Sequence, residues 1–120
     1  MVVHNRSRPG PPLLRAHWCD DFASRLRGLM FRRGLPAGEG LVLVEARAGR
    51  LATAIHMWMV GFPIGVLWLD AARTVVDRRL ARPWRFYVPQ QAACFVVEGP
   101  PALLDAAQVG DVLEFEDAGA

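Results

Sequence analysis

The densest group of potential binding side chains in the sequence combines guanidinium and aromatic groups: Arg78, Arg79, Arg82, Trp84, Arg85 and Tyr87. Arginine forks suit carboxylates and phosphates, and an indole or phenol ring can stack on a base or a sugar. A solvated loop edge, with Trp84 against the core, would account for the same residues. Our hypothesis is a site for an anionic or sugar-like ligand, with polar contacts from Arg78, Arg82, Trp84 and Arg85.

A histidine in the most apolar segment of the chain could contribute to the same site. His56 and Trp58 share one face of a predicted strand, because side chains alternate with a two-residue period. We predict that these two rings line an apolar recess next to the arginines. A catalytic role for His56 would need a second polar group that orients its ring. The alternative is a half-buried imidazole hydrogen-bonded to a backbone carbonyl.

Potential metal ligands are few in this sequence. His17, Cys19 and Asp20 lie close together, and His56 could join them from elsewhere. Zinc needs three or four ligands at ~2.0–2.3 Å, and two alternating residues do not provide that spacing. We therefore predict no metal and no cofactor. Cys19 and Cys94 are too far apart in sequence to form a Cys-x-x-Cys motif. The sequence leaves two alternatives open for them: two buried thiols or one disulfide.

The composition excludes several kinds of chemistry. All 14 basic residues are arginines, so a Schiff-base lysine and a phosphate-loop lysine are both absent. Ser7 and Ser24 are the only serines, and neither lies in a nucleophile elbow. The net charge of +2 gives no strong signal for nucleic-acid binding.

The start of the chain lacks the apolar helix of a signal peptide, because Pro9, Gly10, Pro11 and Pro12 interrupt it. No apolar run reaches the ~20 residues that a membrane-spanning helix needs. We therefore expect a cytoplasmic protein without a membrane span. Residues 1–12 are predicted to be a flexible segment, followed by one β-rich domain over 13–117.

Hydrophobic periodicity predicts two helices. An amphipathic helix follows Asp20 and Asp21, with Phe22, Leu26, Leu29 and Met30 on one face, and it ends before Gly34. A short second helix is expected over 102–107, where Pro100 and Pro101 suit a helix start.

Short apolar runs separated by turn residues predict strands over 13–18, 41–44, 51–59, 64–69, 74–80, 94–97 and 112–116, with a turn at Ala48 and Gly49. This pattern is typical of a mainly β domain, either a sandwich of jelly-roll-like form or a small barrel. Burial between two sheets would cover most of the apolar middle of the chain. It would leave a patch formed by Trp58, Met59, Phe62 and Trp68.

Several motifs in order resemble the domain of unknown function 192 family: RLRGLMFR at 25–32, GEGLVL at 38–43, IHMWMVGFPIGVLWLD at 55–70, RPWR at 82–85, and VVEGPP and VGDVLEF near the end. The resemblance covers about residues 14–115. It implies a compact, mostly β domain of jelly-roll-like sandwich form, and it implies no particular activity, cofactor or ligand.

The central motif also departs from the family's usual pattern of Ile-His-Thr, Met-Arg and Pro-Ile-Asp-Val. Met57 replaces the threonine, Val60 and Gly61 replace the Met-Arg pair, and Gly65 replaces the aspartate. A hydroxyl, a guanidinium and a carboxylate are therefore missing together. The place where a partner for His56 would be expected, position 65, has no side chain.

These observations favour a small non-enzymatic binding or accessory domain whose partner is a small molecule or a protein. The alternative is a protein interaction module, or a homodimer that associates through the apolar aromatic patch. A third alternative is a hydrolase-like enzyme that uses His56 or Cys19.

Overall fold

The structure is a computed structural model that describes residues 1–21, 28–30 and 32–117. The elements in chain order are β1 (Val2–Asn5), β2 (Leu14–Cys19), β3 (Glu39–Gly49), β4 (Ile55–His56), β5 (Ile64–Leu69), β6 (Val75–Ala81), β7 (Phe86–Tyr87), β8 (Ala93–Gly99), α1 (Leu103–Ala106) and β9 (Leu113–Glu116). The mainly β prediction is confirmed. Among the described residues, no helix is long and apolar enough to cross a membrane.

Seven strands form one sheet in the order β6-β5-β8-β3-β2-β1-β9, and β4 pairs with β7 in a separate two-stranded ribbon. The pairing is antiparallel except between β2 and β3, which run parallel. The two outer strands of the sheet approach each other at one end. Thr74 and Val112 form a β-bridge there, and Val75 donates its N–H to the Asp111 carbonyl at 2.8 Å.

The sheet therefore curls towards closure as a half-barrel. This corrects the predicted picture of two sheets stacked face to face, and it lies closer to the small-barrel alternative. Accumulated strand twist curves a sheet of seven strands, and the contact between its outer strands covers part of both edges.

The curved sheet has apolar side chains on both faces. On one face, Val42, Leu67, Val97 and Leu113 pack with Leu103 of α1. The opposite face carries a second cluster that includes Ile64, Val66, Trp68 and Val96, and Ile55 and Met57 cover it from the ribbon side. Strand β5 is buried along its whole length because it contributes to both clusters.

Trp68 is fully buried, which corrects its predicted place in an exposed aromatic patch. Its indole Nε1–H donates a hydrogen bond to the Thr53 carbonyl at 2.8 Å. Phe62 is half-buried and packs against the same cluster. The two-residue alternation places Trp68 on the face of β5 that the ribbon covers, together with Ile64 and Val66, and sequence alone does not identify this face.

The Trp68→Phe variant is expected to lower the free energy of unfolding by about 1–3 kcal/mol, because the buried Thr53 carbonyl loses its donor. Urea denaturation followed by circular dichroism measures this change. A midpoint equal to that of wild type would show that the indole hydrogen bond contributes nothing to stability.

Part of the segment predicted to be flexible, residues 1–12, forms the first strand of the sheet. Val2–Asn5 form β1, which lies between β2 and β9, and Val3 is completely buried. The Asn5 side-chain amide donates to the Ala106 carbonyl at 3.0 Å and to an Asp111 carboxylate oxygen at 2.9 Å. Four residues next to a Pro-Gly segment are too few to reveal this strand by periodicity.

Two predicted elements differ from the structure, and a third lies largely outside the described residues. The predicted amphipathic helix falls largely on residues 22–27 and 31, which lie outside the described residues. Its described end is a turn over 28–30, in which Gly28 has a φ of 43°. Strand β3 continues through Ala48 and Gly49, where a turn was predicted, and the predicted strand over 51–59 is reduced to Ile55–His56.

Candidate functional site

The ribbon brings together the two chain segments that carry most of the predicted binding residues. Ile55 lies opposite Tyr87, and His56 lies opposite Phe86. Backbone hydrogen bonds extend this pairing, from the Met57 N–H to the Arg85 carbonyl at 2.7 Å and from the Trp84 N–H to the Met57 carbonyl at 2.8 Å. Residues 55–58 therefore lie alongside 84–87, although they are distant in sequence.

The turns that adjoin the two ribbon strands expose apolar side chains. Trp58 is 60% exposed, Trp84 59%, Phe86 61% and Met59 44%. We call Trp58, Met59, Trp84 and Phe86 the aromatic surface. Folding normally buries such side chains, so this cluster is a candidate contact surface.

Two residues of the aromatic surface have left-handed backbone conformations. Met59 has a φ of 60° and Trp84 a φ of 65°. This conformation costs a residue with a side chain roughly 1–2 kcal/mol. The ribbon hydrogen bonds hold Trp84 in this conformation, and strained positions of this kind are enriched at binding sites.

His56 lies at the inner side of the aromatic surface. Its ring centroid is 5.9 Å from that of Trp58, with the two ring planes inclined at 53°. The Nδ1 atom is buried and has no hydrogen-bond partner. A backbone carbonyl therefore does not satisfy this nitrogen, contrary to the alternative considered from the sequence.

The described arginines near the aromatic surface are exposed, and their charges are available for a ligand. Arg82 and Arg85 flank Trp84, and the Arg82 backbone N–H donates to the Tyr87 hydroxyl at 2.9 Å. No ion pair joins either guanidinium to a described residue. The nearby carboxylate of Asp77 accepts hydrogen bonds from the backbone N–H groups of Arg78 and Gln90, so both of its oxygens already have backbone donors.

Arg78 lies on the other face of the sheet and does not belong to this surface. Its Nη2 donates to the Leu104 carbonyl of α1, and its Nε is buried without a partner. Arg79, by contrast, lies on the ribbon side, with its guanidinium 5.7 Å from the centre of the Tyr87 ring. Alternation along β6 separates the two neighbouring arginines.

Position 65 also faces away from His56. A Cβ on Gly65 would lie 2.9 Å from the Pro100 carbonyl and 3.3 Å from the Leu103 side chain. A carboxylate at this position would point towards α1, so it could not orient the His56 ring. The glycine at position 65 therefore neither supports nor weakens a catalytic role for His56.

A cavity of about 280 Å³ lies between the ribbon and the main sheet. It is bounded by Gly28, Leu29, Met30, Leu43, Glu45, Ala52, Ala54, Ile55, His56, Met57, Val60, Ile64 and Glu98. Glu98 was not predicted as a site residue. The signal in the sequence was a single carboxylate within the apolar run of β8, between Val97 and Gly99.

Cys19 and Cys94 are both buried, and no disulfide joins them. The Cys19 Sγ lies 3.8 Å from the His17 carbonyl. Within residues 1–21, 28–30 and 32–117, no three histidine, cysteine or acidic side chains are grouped as metal ligands.

The protein is a mainly β domain in which a curled sheet is accompanied by a short helix and a two-stranded ribbon. A solved structure from Sinorhizobium meliloti 1021 has this fold, with a TM-score of 0.82 and 19% identity over 94% of this chain and 89% of that one. The model of the DUF192 family, described as "Uncharacterized ACR", matches residues 3–115. The protein belongs to the DUF192 family.

Archaeal relatives carry the family name UPF0127. The Thermococcus sibiricus UPF0127 protein is 38% identical over 104 residues, which are 85% of this chain and 66% of that protein. The chain therefore covers just under two thirds of this relative. The Pyrococcus abyssi relative is 38% identical over 116 residues, 95% of this chain and 97% of that protein.

Proposed function

We propose that the protein is a binding module for an anionic ligand that carries a flat ring, such as a nucleotide or an acidic sugar. The ligand ring stacks on Trp58 or Trp84, and its acidic groups contact Arg82 and Arg85. The observation that carries this proposal is the exposure of three aromatic rings beside two unpaired guanidinium groups. His56 and Trp58 border the site on its inner side.

The proposal follows from the chemistry of the exposed groups. Stacking of a base on an aromatic side chain is worth ~1–3 kcal/mol, and an arginine fork can bind a phosphate or carboxylate through two hydrogen bonds. The ribbon fixes the backbone at Trp84 before any ligand arrives, which lowers the entropy cost of binding.

Replacement of Trp84 by alanine is expected to weaken binding by about 5-fold to 100-fold, because one stacking partner is lost. The probes are adenosine monophosphate, a single-stranded oligonucleotide and a uronic-acid oligosaccharide, with binding followed by tryptophan fluorescence. The Arg82→Ala/Arg85→Ala double variant should weaken binding of the same probe and reduce its dependence on salt.

The Arg6→Ala/Arg15→Ala double variant is the matched control, because it removes two exposed arginines that lie away from the ribbon. It should bind the probes as wild type does. Equal loss in the two double variants would indicate non-specific attraction to a basic protein. Failure of all three probes to bind would contradict the proposed function.

A second candidate is association with a protein partner or a second copy through the same surface, because Met59 and Phe86 add exposed apolar area without charge. Light scattering across a range of concentrations tests self-association. A dimer that the Trp58→Glu variant converts to a monomer would favour this candidate over the binding of a small ligand.

A further inference from the structure

The cavity between the ribbon and the main sheet combines apolar walls with the carboxyl group of Glu98. Side chains of Leu29, Met57, Val60 and Ile64 form much of its lining, and they also belong to the core cluster beneath the ribbon. Its volume of about 280 Å³ exceeds what a single water molecule occupies. An apolar cavity of roughly 150 Å³ is known to hold benzene, so a molecule of about ten non-hydrogen atoms fits here.

Glu98 is the most unusual residue of this lining. The side chain projects from the middle of the main sheet, since Glu98 of β8 pairs with Leu41 on one side and Val66 on the other. Glu98 is only 6% exposed. No hydrogen bond or ion pair links its carboxyl to another described side chain. A buried carboxyl without a partner is costly, and such groups in native proteins are usually satisfied by a ligand, a water or an ion.

His56 also belongs to the lining of this cavity. Its Nδ1 is buried without a hydrogen-bond partner, so a ligand in the cavity does not reach this nitrogen. The cavity therefore offers one acidic acceptor, the Glu98 carboxyl, together with apolar walls.

We propose that this cavity binds a small organic amine in its ammonium form. The ammonium group donates N–H hydrogen bonds to the Glu98 carboxylate, while its hydrocarbon part packs against Met57, Val60 and Ile64. An ammonium supplies three donors and a positive charge, which matches the buried Glu98 carboxylate. The site is separate from the aromatic surface, except that His56 borders both.

The ionisation of Glu98 should respond to such a ligand. Burial raises the pKa of the Glu98 carboxyl from 4.5 to about 7. A bound cation favours the carboxylate, so binding below pH 7 must release a proton. The affinity for an amine should therefore rise about tenfold per pH unit up to neutrality and then level off. The other titratable groups in the described lining are His56 and Glu45, and Glu45 already has an interaction partner.

Isothermal titration calorimetry with 2-phenylethylamine tests the proposal, with 2-phenylethanol as the uncharged probe of equal size. Wild type should bind the amine and bind the alcohol at least tenfold more weakly. Titration at pH 6 in buffers of different ionisation enthalpy should show proton release. The Glu98→Gln variant should bind the amine about 10-fold to 100-fold more weakly, because a charge-assisted hydrogen bond is lost.

The Glu114→Gln variant is the matched control, because Glu114 is an exposed carboxylate on β9. It should bind the amine as wild type does, and so should Trp84→Ala, since Trp84 is not part of the lining. Equal affinity for the amine and the alcohol would overturn the proposal, as would an unchanged affinity in Glu98→Gln. If Glu98→Gln fails to fold, the pH dependence of the wild-type affinity decides, and a flat profile between pH 5.5 and 7 contradicts the proposal.

Discussion

The Gly40→Ala variant is expected to lose about 3 kcal/mol or more of its free energy of unfolding, at the upper end of overpacking effects. A Cβ on Gly40 would lie 2.1 Å from the backbone carbonyl oxygen of Glu98 and 2.9 Å from the Leu14 side chain. The first of these atoms belongs to the neighbouring strand β8, so it cannot move aside as the end of a flexible side chain could. The strands must separate locally to admit the methyl group.

Urea denaturation of Gly40→Ala and Gly61→Ala side by side measures this effect. A Cβ on Gly61 would meet no other atom within 4 Å, so this substitution should change stability by less than about 0.5 kcal/mol. Similar denaturation midpoints for the two variants would show that the close approach of β3 and β8 is not rigid.

The free energy of unfolding should fall by about 3 kcal/mol through Glu98 as the pH rises from 4 to 8. Burial raises the pKa of this carboxyl to about 7 in the folded protein, from 4.5 in the unfolded chain. Between these values the folded protein binds the proton more tightly than the unfolded chain does. The stabilisation is therefore complete below pH 4.5 and is lost as the pH rises through 7.

Other carboxylates also change stability over this range, so the informative quantity is the difference between wild type and Glu98→Gln. The variant should gain about 3 kcal/mol relative to wild type between pH 4 and pH 8. Chemical denaturation at several pH values measures this difference. A constant difference across the range would mean that Glu98 is ionised in the folded protein.

The parts of the fold that sequence predicted well are strands with strong apolar runs between clear turns. The predicted strand over 64–69 coincides with β5, and the one over 74–80 is shifted by one residue from β6. The short helix predicted over 102–107 corresponds to α1. The curvature of the sheet was not predictable, because it depends on strand order and on the contact between Thr74 and Val112.

The candidate site, like the fold, was predictable from the sequence only in part. The sequence brought His56, Trp58, Arg82, Trp84 and Arg85 into one hypothesis, and the structure places them around the ribbon. Whether they bind a ligand stays a prediction. Arg78 could not be separated from Arg79 by sequence, because one step along a strand changes the face and the starting face was unknown.

Two features of the site had no usable sequence signal. The left-handed backbones of Met59 and Trp84 have no signal in residue type; Trp84 donates a ribbon hydrogen bond to the Met57 carbonyl, and Met59 lies in a turn closed by the Val60 N–H and the same carbonyl. Glu98 lies in an apolar strand, and only the three-dimensional structure shows that no described side chain pairs with it. Local propensity carries little information about such positions, because tertiary contacts determine them.

The pairing of β1 with β9 has a consequence for how the protein is made. Val2 lies opposite Glu116, so one edge of β1 pairs with a segment from the far end of the described residues. On the ribosome, β1 must therefore wait with unsatisfied N–H and C=O groups until residues 113–116 have emerged. Contacts between such distant segments slow folding, and open strand edges favour aggregation. The nascent chain is thus exposed to misassembly through this edge until residues 113–116 have emerged.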